Sequence, residues 1–182
     1  ESICLYLSFS ISRLINRHST VCVWNIIGEK IEQVFAKQSI PMRWDFPEAN
    51  PFSSSSGGYL NSLEWIPKVI EKFPEGKIGE VIQENAATQN ISENKIISTD
   101  PPYYDNIGYA DLSDYFYIWL RQSLKEIYPK LFTTYATPKS EEIISDVYRH
   151  EGKSDADKFF LSEMKNAMQK LALHSSKCFP IT

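Results

Sequence analysis

The tightest constraint in this sequence is the run Asp100-Pro101-Pro102-Tyr103. A proline pushes the residue before it out of the helical region, so Asp100 is held to extended geometry. Pro101 and Pro102 have a fixed φ and no N–H to donate. Ahead of them stands a short apolar run, Lys95-Ile96-Ile97, whose pattern predicts a buried strand. Behind them stand Tyr103, Tyr104, Asp105 and Asn106. The expectation is a carboxylate, a stiff corner and aromatic rings at the carboxyl edge of a sheet. That edge is where open α/β sheets bind ligands.

Such a corner offers acceptors only: the Asp100 carboxylate and the carbonyls of Asp100 and Pro101. Rigid acceptors suit a substrate amino group, which carries two N–H donors. Tyr103 adds a flat face on which a planar base can stack, worth roughly 1–3 kcal/mol per base. An exocyclic amine is a weak nucleophile because its lone pair is delocalised into the ring. Hydrogen bonds from both its N–H groups to fixed acceptors favour the pyramidal nitrogen that forms as it attacks a methyl group, so charge is stabilised by groups already in place. Asp-Pro-Pro by itself is more often a turn than a site. The strand before it and the aromatics after it are the context that favours the chemical reading.

Asp-Pro-Pro-Tyr after a strand resembles the catalytic motif of amino-group methyltransferases that use S-adenosylmethionine (SAM). The longer run Thr99-Asp100-Pro101-Pro102-Tyr103-Tyr104-Asp105-Asn106-Ile107-Gly108-Tyr109-Ala110-Asp111-Leu112-Ser113-Asp114 is similar to a group of large bacterial and archaeal adenine-specific DNA methylases. The resemblance extends over most of the chain, including residues 41–52 and Tyr148-Arg149-His150. It implies an α/β, Rossmann-like SAM-dependent methyltransferase fold. It also implies that Asp100, Pro101, Pro102 and Tyr103 are catalytic and that the partner is double-stranded DNA with a flipped adenine. In such enzymes the end of the strand before the catalytic one contacts the cofactor, and Asn85 occupies that place, with Asp100 beside it. A polar turn residue is the equal alternative at Asn85. Tyr104, Asn106 and Tyr109, in the loop after the motif, are candidates to meet the substrate.

Composition bounds the rest. The chain has 182 residues, 42% hydrophobic and 13% aromatic, enough for the core of one domain. No apolar run reaches the roughly 18 residues of a membrane span. The start lacks a basic region and a cleavage site, so it does not read as a signal peptide. It opens without Met and in mid-pattern, as a fragment would. Cys4, Cys22 and Cys178 form no CxxC pair and read as small buried hydrophobes in a reducing cytoplasm. His18 lies alone, and no His or acidic spacing suggests a metal site. The net charge of −4 argues against a free-standing nucleic-acid binder, because phosphate contacts need Lys and Arg.

Taken in order, the periodicity predicts helices over residues 3–15, Trp24 to Lys37 and Leu63 to Phe73, the last requiring Pro67 in its first turn. Together these make residues 1–75 a helical segment carrying a Ser/Gly loop at 53–58. Trp44, Asp45 and Asn50 are candidate cleft residues. Residues 76–182 are expected to form the α/β catalytic segment of the same partial domain. A strand from Ile78 to Gln83 comes first, and a helix capped by Asp111 or Ser113 follows the motif. The aromatic stripe of that helix reads as core. Residues 129–153 form a long loop in which Lys139 and Arg149 either touch DNA phosphates or sit solvated. A helix capped by Ser154 with Asp157 comes next, and Cys178 to Ile181 begins another strand.

A SAM site needs a Gly-rich loop after a strand, and the seven glycines here include no GxG. In the resembled methylases that loop lies N-terminal to the part represented here, so the missing part or another subunit is expected to supply it. Three functions remain open: methylation of adenine N6 in DNA, methylation of cytosine N4 or an RNA base, and a catalytically incomplete remnant that binds nucleic acid or a partner chain.

Overall fold

The computed structural model describes residues 1–35, 37–54, 57–76 and 79–182. The chain divides into two compact units, Glu1–Gly76 with Asp111–Thr137, and Lys77–Ala110 with Pro138–Thr182. Among the described residues there are six elements: helix α1 (Ser2–Ile15), strands β1 (Trp24–Asn25) and β2 (Lys30–Ile31), then α2 (Tyr59–Ile70), α3 (Tyr109–Leu124) and α4 (Lys153–His174). Most of the regular structure is helical, with one two-stranded sheet. Among the described residues no helix is long and apolar enough to cross a membrane.

In the first unit α1 packs on α2. Of the apolar residues at helical spacing in α1, Ile15 is buried and Ile11 and Leu14 are half-buried, while Cys4 and Leu7 are exposed; Ser8 and Ser10 are covered as well. Small serines let a neighbouring backbone approach, and each satisfies its hydroxyl on its own helix. Ser8 Oγ donates to the Cys4 carbonyl at 2.7 Å and Ser10 Oγ to the Tyr6 carbonyl at 3.4 Å. Ser62 of α2 is buried in the same way, its Oγ on the Gly58 carbonyl at 3.0 Å. A buried hydroxyl with a partner avoids the desolvation penalty that an orphan would carry.

The helix expected over Trp24 to Lys37 is instead a hairpin, with Trp24 opposite Ile31 and Asn25 opposite Lys30. Asn25 decides this, because its Oδ1 accepts the Gly28 N–H at 2.8 Å and closes a turn that competes with the helix. Glu29 completes the reversal at φ 47°. Ile27, one of the residues that fit a helical face, is left exposed at the tip together with Ile26. Pro67 lies inside α2 rather than in its first turn, and the helix runs past it to Ile70. Of the Ser/Gly run, Ser55 and Ser56 lie outside the described residues. Cys22 and Val34 are fully buried beside the rings of Phe35, Tyr115 and Phe116, which stack edge-on or tilted at 5.2–5.6 Å. Cys4 and Cys178, expected to be buried, are exposed thiols. Asp111, a candidate cap, lies in the first turn of α3. Asp114 accepts both the N–H and the hydroxyl of Thr137, at 2.7 and 2.6 Å, and so ties the returning loop to α3.

The second unit is built on α4. Ser154 does not cap it: the helix starts one residue earlier, and its cap is Gly152 at φ 118°, ψ 179°. That conformation is open almost only to glycine, so backbone freedom outranks the side-chain cap here. The strands expected over 78–83 and 95–97 are not found among the described residues. Ile78 lies outside the described residues, and residues 79–83 and 95–97 carry no strand, leaving Val81 and Ile96 exposed. A strand needs a neighbour to take its N–H and C=O groups. Only a partial neighbour is present, the segment after α4, where Cys178 to Ile181 is likewise not assigned as a strand. The Ser176 N–H donates to the Lys95 carbonyl at 2.9 Å, Thr182 N–H to Ile97 at 3.2 Å, and Thr99 N–H to Thr182 at 2.6 Å. The last two bonds flank Ser98 from one residue, the alternation of a parallel pair.

Gly152→Ala tests the glycine cap. A Cβ there meets nothing within 4 Å, so any cost is backbone strain alone. Chemical denaturation is expected to show a loss of roughly 1–3 kcal/mol. An unchanged midpoint would mean that α4 starts elsewhere in solution.

Candidate functional site

The Asp100–Tyr103 corner lies on the surface of the second unit. Asp100 and Pro101 are exposed, Pro102 is half-buried and Tyr103 is 54% exposed. The Tyr103 hydroxyl donates to Asp100 Oδ1 at 2.7 Å. That bond, with the adjacent negative charge, holds the Tyr103 phenol above its ordinary pKa. The carboxylate is therefore accessible, with one oxygen engaged by the motif's own ring and the other left to accept further donors. The Asn106 N–H closes the following turn on the Tyr103 carbonyl at 3.1 Å, and the Tyr109 ring is half-exposed.

A cavity of about 400 Å³ runs up to Thr99, the residue before the motif. Its wall is mostly apolar, with Ile82, Ile91, Ile97 and Leu171, and it carries Glu84 and Lys95 as charged groups. That size falls within the range of small-molecule sites. Asn85 does not line it. Its Oδ1 accepts the Ala87 N–H at 2.8 Å, and its amide reaches Glu141 at 3.4 Å, which is the turn-residue role.

The residue after Tyr103 behaves differently from expectation. Tyr104 takes φ 60°, the left-handed region, and its side chain turns onto α4. Its hydroxyl donates to Asp157 Oδ1 at 2.6 Å, and its ring meets Phe160 edge-on at 5.1 Å. Lys153 Nζ lies 4.5 Å from the ring centroid and pairs with Asp105 at 3.0 Å and Asp157 at 3.3 Å. Buried Ser145 donates its hydroxyl to the same Asp157 oxygen at 2.5 Å and its N–H to the Tyr104 carbonyl at 3.0 Å. The Asp105 hydrogen bond is the main reason the Lys153 ammonium titrates well above its ordinary value. The Ser145 and then the Tyr104 hydrogen bonds hold Asp157 below the usual carboxylate range.

Sequence reasoning assigned no role to Ser145 or Asp105 and took Asp157 for a cap. The Lys153/Asp157 spacing of four residues is the one signal that marks a pair on a helix face. Nothing local joins Tyr104 to Ser145.

Arg149 is not turned to a free surface. It is half-buried, with Nη1 2.6 Å from Glu142 and Nε 3.2 Å from Asp146, and it also donates to the Lys139 carbonyl at 3.2 Å. Glu142 in turn accepts the Ala110 N–H at 3.0 Å. A phosphate would have to break these contacts to use Arg149. In the first unit, a cavity of about 320 Å³ opens between residues 18–20 and 46–49, and Trp44, Asp45 and Asn50 are outside its lining. Among the described residues no group of three His, Cys, Asp or Glu side chains is arranged to hold a metal ion.

The fit to SAM is incomplete. The Thr99 cavity has room for a planar apolar group, but a cofactor's charged end needs a glycine over which backbone closes. A Cβ added at Gly79 or Gly152 meets nothing within 4 Å, and Gly79 and Gly152 therefore do not supply that close approach. Comparison of the chain with family models, with curated proteins and with solved structures finds no match.

Asp157 has a depressed folded pKa, so its contribution to stability is present above its unfolded pKa and is lost as pH falls through the lower folded value. Ser145→Ala removes the largest cause. NMR titration of the Asp157 carboxyl carbon is expected to show a midpoint below that of a free aspartate in the wild type, moving up in Ser145→Ala. An unmoved midpoint would show that Ser145 does not bind Asp157 in solution.

Proposed function

We propose that this chain is the amine-holding part of a SAM-dependent methyltransferase acting on the N6 amine of adenine in DNA. The observation that carries the reading is the corner itself: an exposed Asp100 carboxylate beside an exposed Tyr103 ring, on a backbone that two prolines deprive of donors. In this reading Asp100 and the Pro101 carbonyl accept the two amine N–H bonds, and the Tyr103 ring supports the base. The amine is paired inside a duplex, so the base enters flipped out. Holding both N–H groups would localise the nitrogen lone pair; a SAM bound elsewhere would supply the methyl group, its sulfonium S–C bond breaking as the N–C bond forms, and the surplus proton would pass to water. The methyl donor is held mainly outside these 182 residues, by another stretch of chain or a partner subunit. The parallel-type bonds between Ile97, Thr99 and Thr182 support a Rossmann-like sheet as the setting. A reducing cytoplasm suits the unpaired thiols.

Cytosine N4 and RNA amines present the same pair of donors, and the corner does not distinguish them. A second reading is favoured by the open surroundings of Gly79 and Gly152: a module that binds nucleic acid or a partner chain without catalysis.

Asp100→Ala in the full-length protein is expected to cut methyl transfer by at least about a thousandfold, the scale of losing an electrostatic donor or acceptor at a reacting centre, with SAM affinity nearly unchanged. Mass spectrometry of nucleosides from treated DNA and RNA identifies the product. Transfer at the wild-type rate by Asp100→Ala defeats the proposal. For the 182-residue chain alone, calorimetry is expected to show no tight binding of SAM, and a stoichiometric tight isotherm would overturn the placement of the donor site elsewhere.

A further inference from the structure

We propose that Lys153 and Asp157, together with Ser145, are positioning residues that hold Tyr104 in its left-handed conformation and so keep the Asp100–Tyr103 corner presented at the surface. The inference rests on the amine-holding reading of that corner.

A left-handed backbone is strained for a residue with a Cβ, and a bulky aromatic seldom adopts it. Tyr104 adopts it with φ 60° directly after the motif. Strain of this kind persists only where the surroundings over-determine it. Here they do so from four sides. Ser145 N–H holds the Tyr104 carbonyl, Asp157 holds its hydroxyl, Phe160 abuts its ring, and Lys153 lies against that ring while pairing with the next residue, Asp105. The Asp100 side chain bonds Tyr103, and none of these groups touches it, so they act on the corner through the backbone. Asp105 and Lys153 are half-exposed, and an exposed ion pair contributes little alone. The effect comes from the shared network, whose members reinforce one another.

The cluster has no nucleophilic role. Lys153 Nζ is 3.4 Å from Ser145 Oγ, a spacing that invites a Ser–Lys reading. Two carboxylates keep the ammonium protonated, and the Ser145 hydroxyl is donated to Asp157. Neither group offers a base to activate the other.

The test pairs a structural readout with a kinetic one, on Lys153→Met and Tyr104→Phe, with Lys153→Arg as the conservative variant. Amide hydrogen exchange is read at Asn106, bonded to the Tyr103 carbonyl, and at Ser145, bonded to the Tyr104 carbonyl. Both amides are expected to exchange about tenfold faster in Lys153→Met and Tyr104→Phe, with α4 amides unchanged, as for a local opening. In the full-length protein, methyl transfer to an adenine-containing duplex is expected to show kcat lowered about tenfold with KM for DNA within about twofold, and Lys153→Arg to restore it. Unchanged exchange in both variants overturns the proposal. Faster exchange with unchanged kcat overturns it too, since the network would then serve only the fold. A wild-type protein that methylates no nucleoside defeats the amine-holding reading instead, and the exchange result then decides the network's role by itself.

Discussion

The left-handed turn at Tyr104 is the constraint on which the second unit depends. Two prolines fix the direction in which the chain leaves Asp100, and the next freely rotating residues must carry it back towards α4. The reversal is made at a tyrosine, where glycine would have cost nothing. The tyrosine adds what glycine lacks, a ring and a hydroxyl that Phe160, Lys153 and Asp157 can grip. Local strain is thereby exchanged for a fixed relation between the loop and the helix. A rigid acceptor needs such a relation if it is to select one orientation of an amine.

The first unit solves a different problem by a different route. Its helices α1 and α2 pack together, and both bury serines while large side chains such as Phe9 and Trp65 are left exposed. The hydroxyls of Ser8, Ser10 and Ser62 return to backbone carbonyls four residues earlier, whereas the covered Ser12 hydroxyl has no hydrogen-bond partner among the described residues. Tyr115 does similar service at the end of α1, donating its hydroxyl to the Ile15 carbonyl at 2.8 Å, one of the carbonyls that a helix end leaves without an internal partner. Apolar burial is limited to a few residues around Cys22, Val34 and the Phe35–Tyr115–Phe116 rings.

Several of the sequence expectations were legible for a plain reason, and others failed for an equally plain one. The α1 and α4 spans follow from runs of helix-compatible residues without an internal breaker, and α2 from its apolar spacing. The hairpin at Trp24 was hidden because Trp24, Ile27 and Ile31 also fit a helical face, and only the Asn25–Gly28 bond decides between them. The strands at 79–83 and 95–97 have strand-like composition, but a strand is a property of a pair. Here the pairing is confined to a few bonds with the residues after α4. Arg149 reads as a free cation in the sequence because its partners, Glu142 and Asp146, look like ordinary loop carboxylates.

The sequence by itself determined the corner: Asp100 held extended, two prolines without donors, and aromatic rings immediately after. Those are consequences of covalent geometry, which needs no distant neighbour. Tertiary structure alone decided that Tyr103 closes back on Asp100 while Tyr104 turns away to α4, and that Arg149, Lys153 and Asp157 are committed to internal pairs. The Tyr104–Asp157 and Lys153–Asp105 contacts join residues 53 and 48 positions apart, which only the folded chain brings together. The short-range pairs, Tyr103 with Asp100 and Lys153 with Asp157, have spacings the sequence allows, but which of several competing partners each group takes is settled by the fold around it.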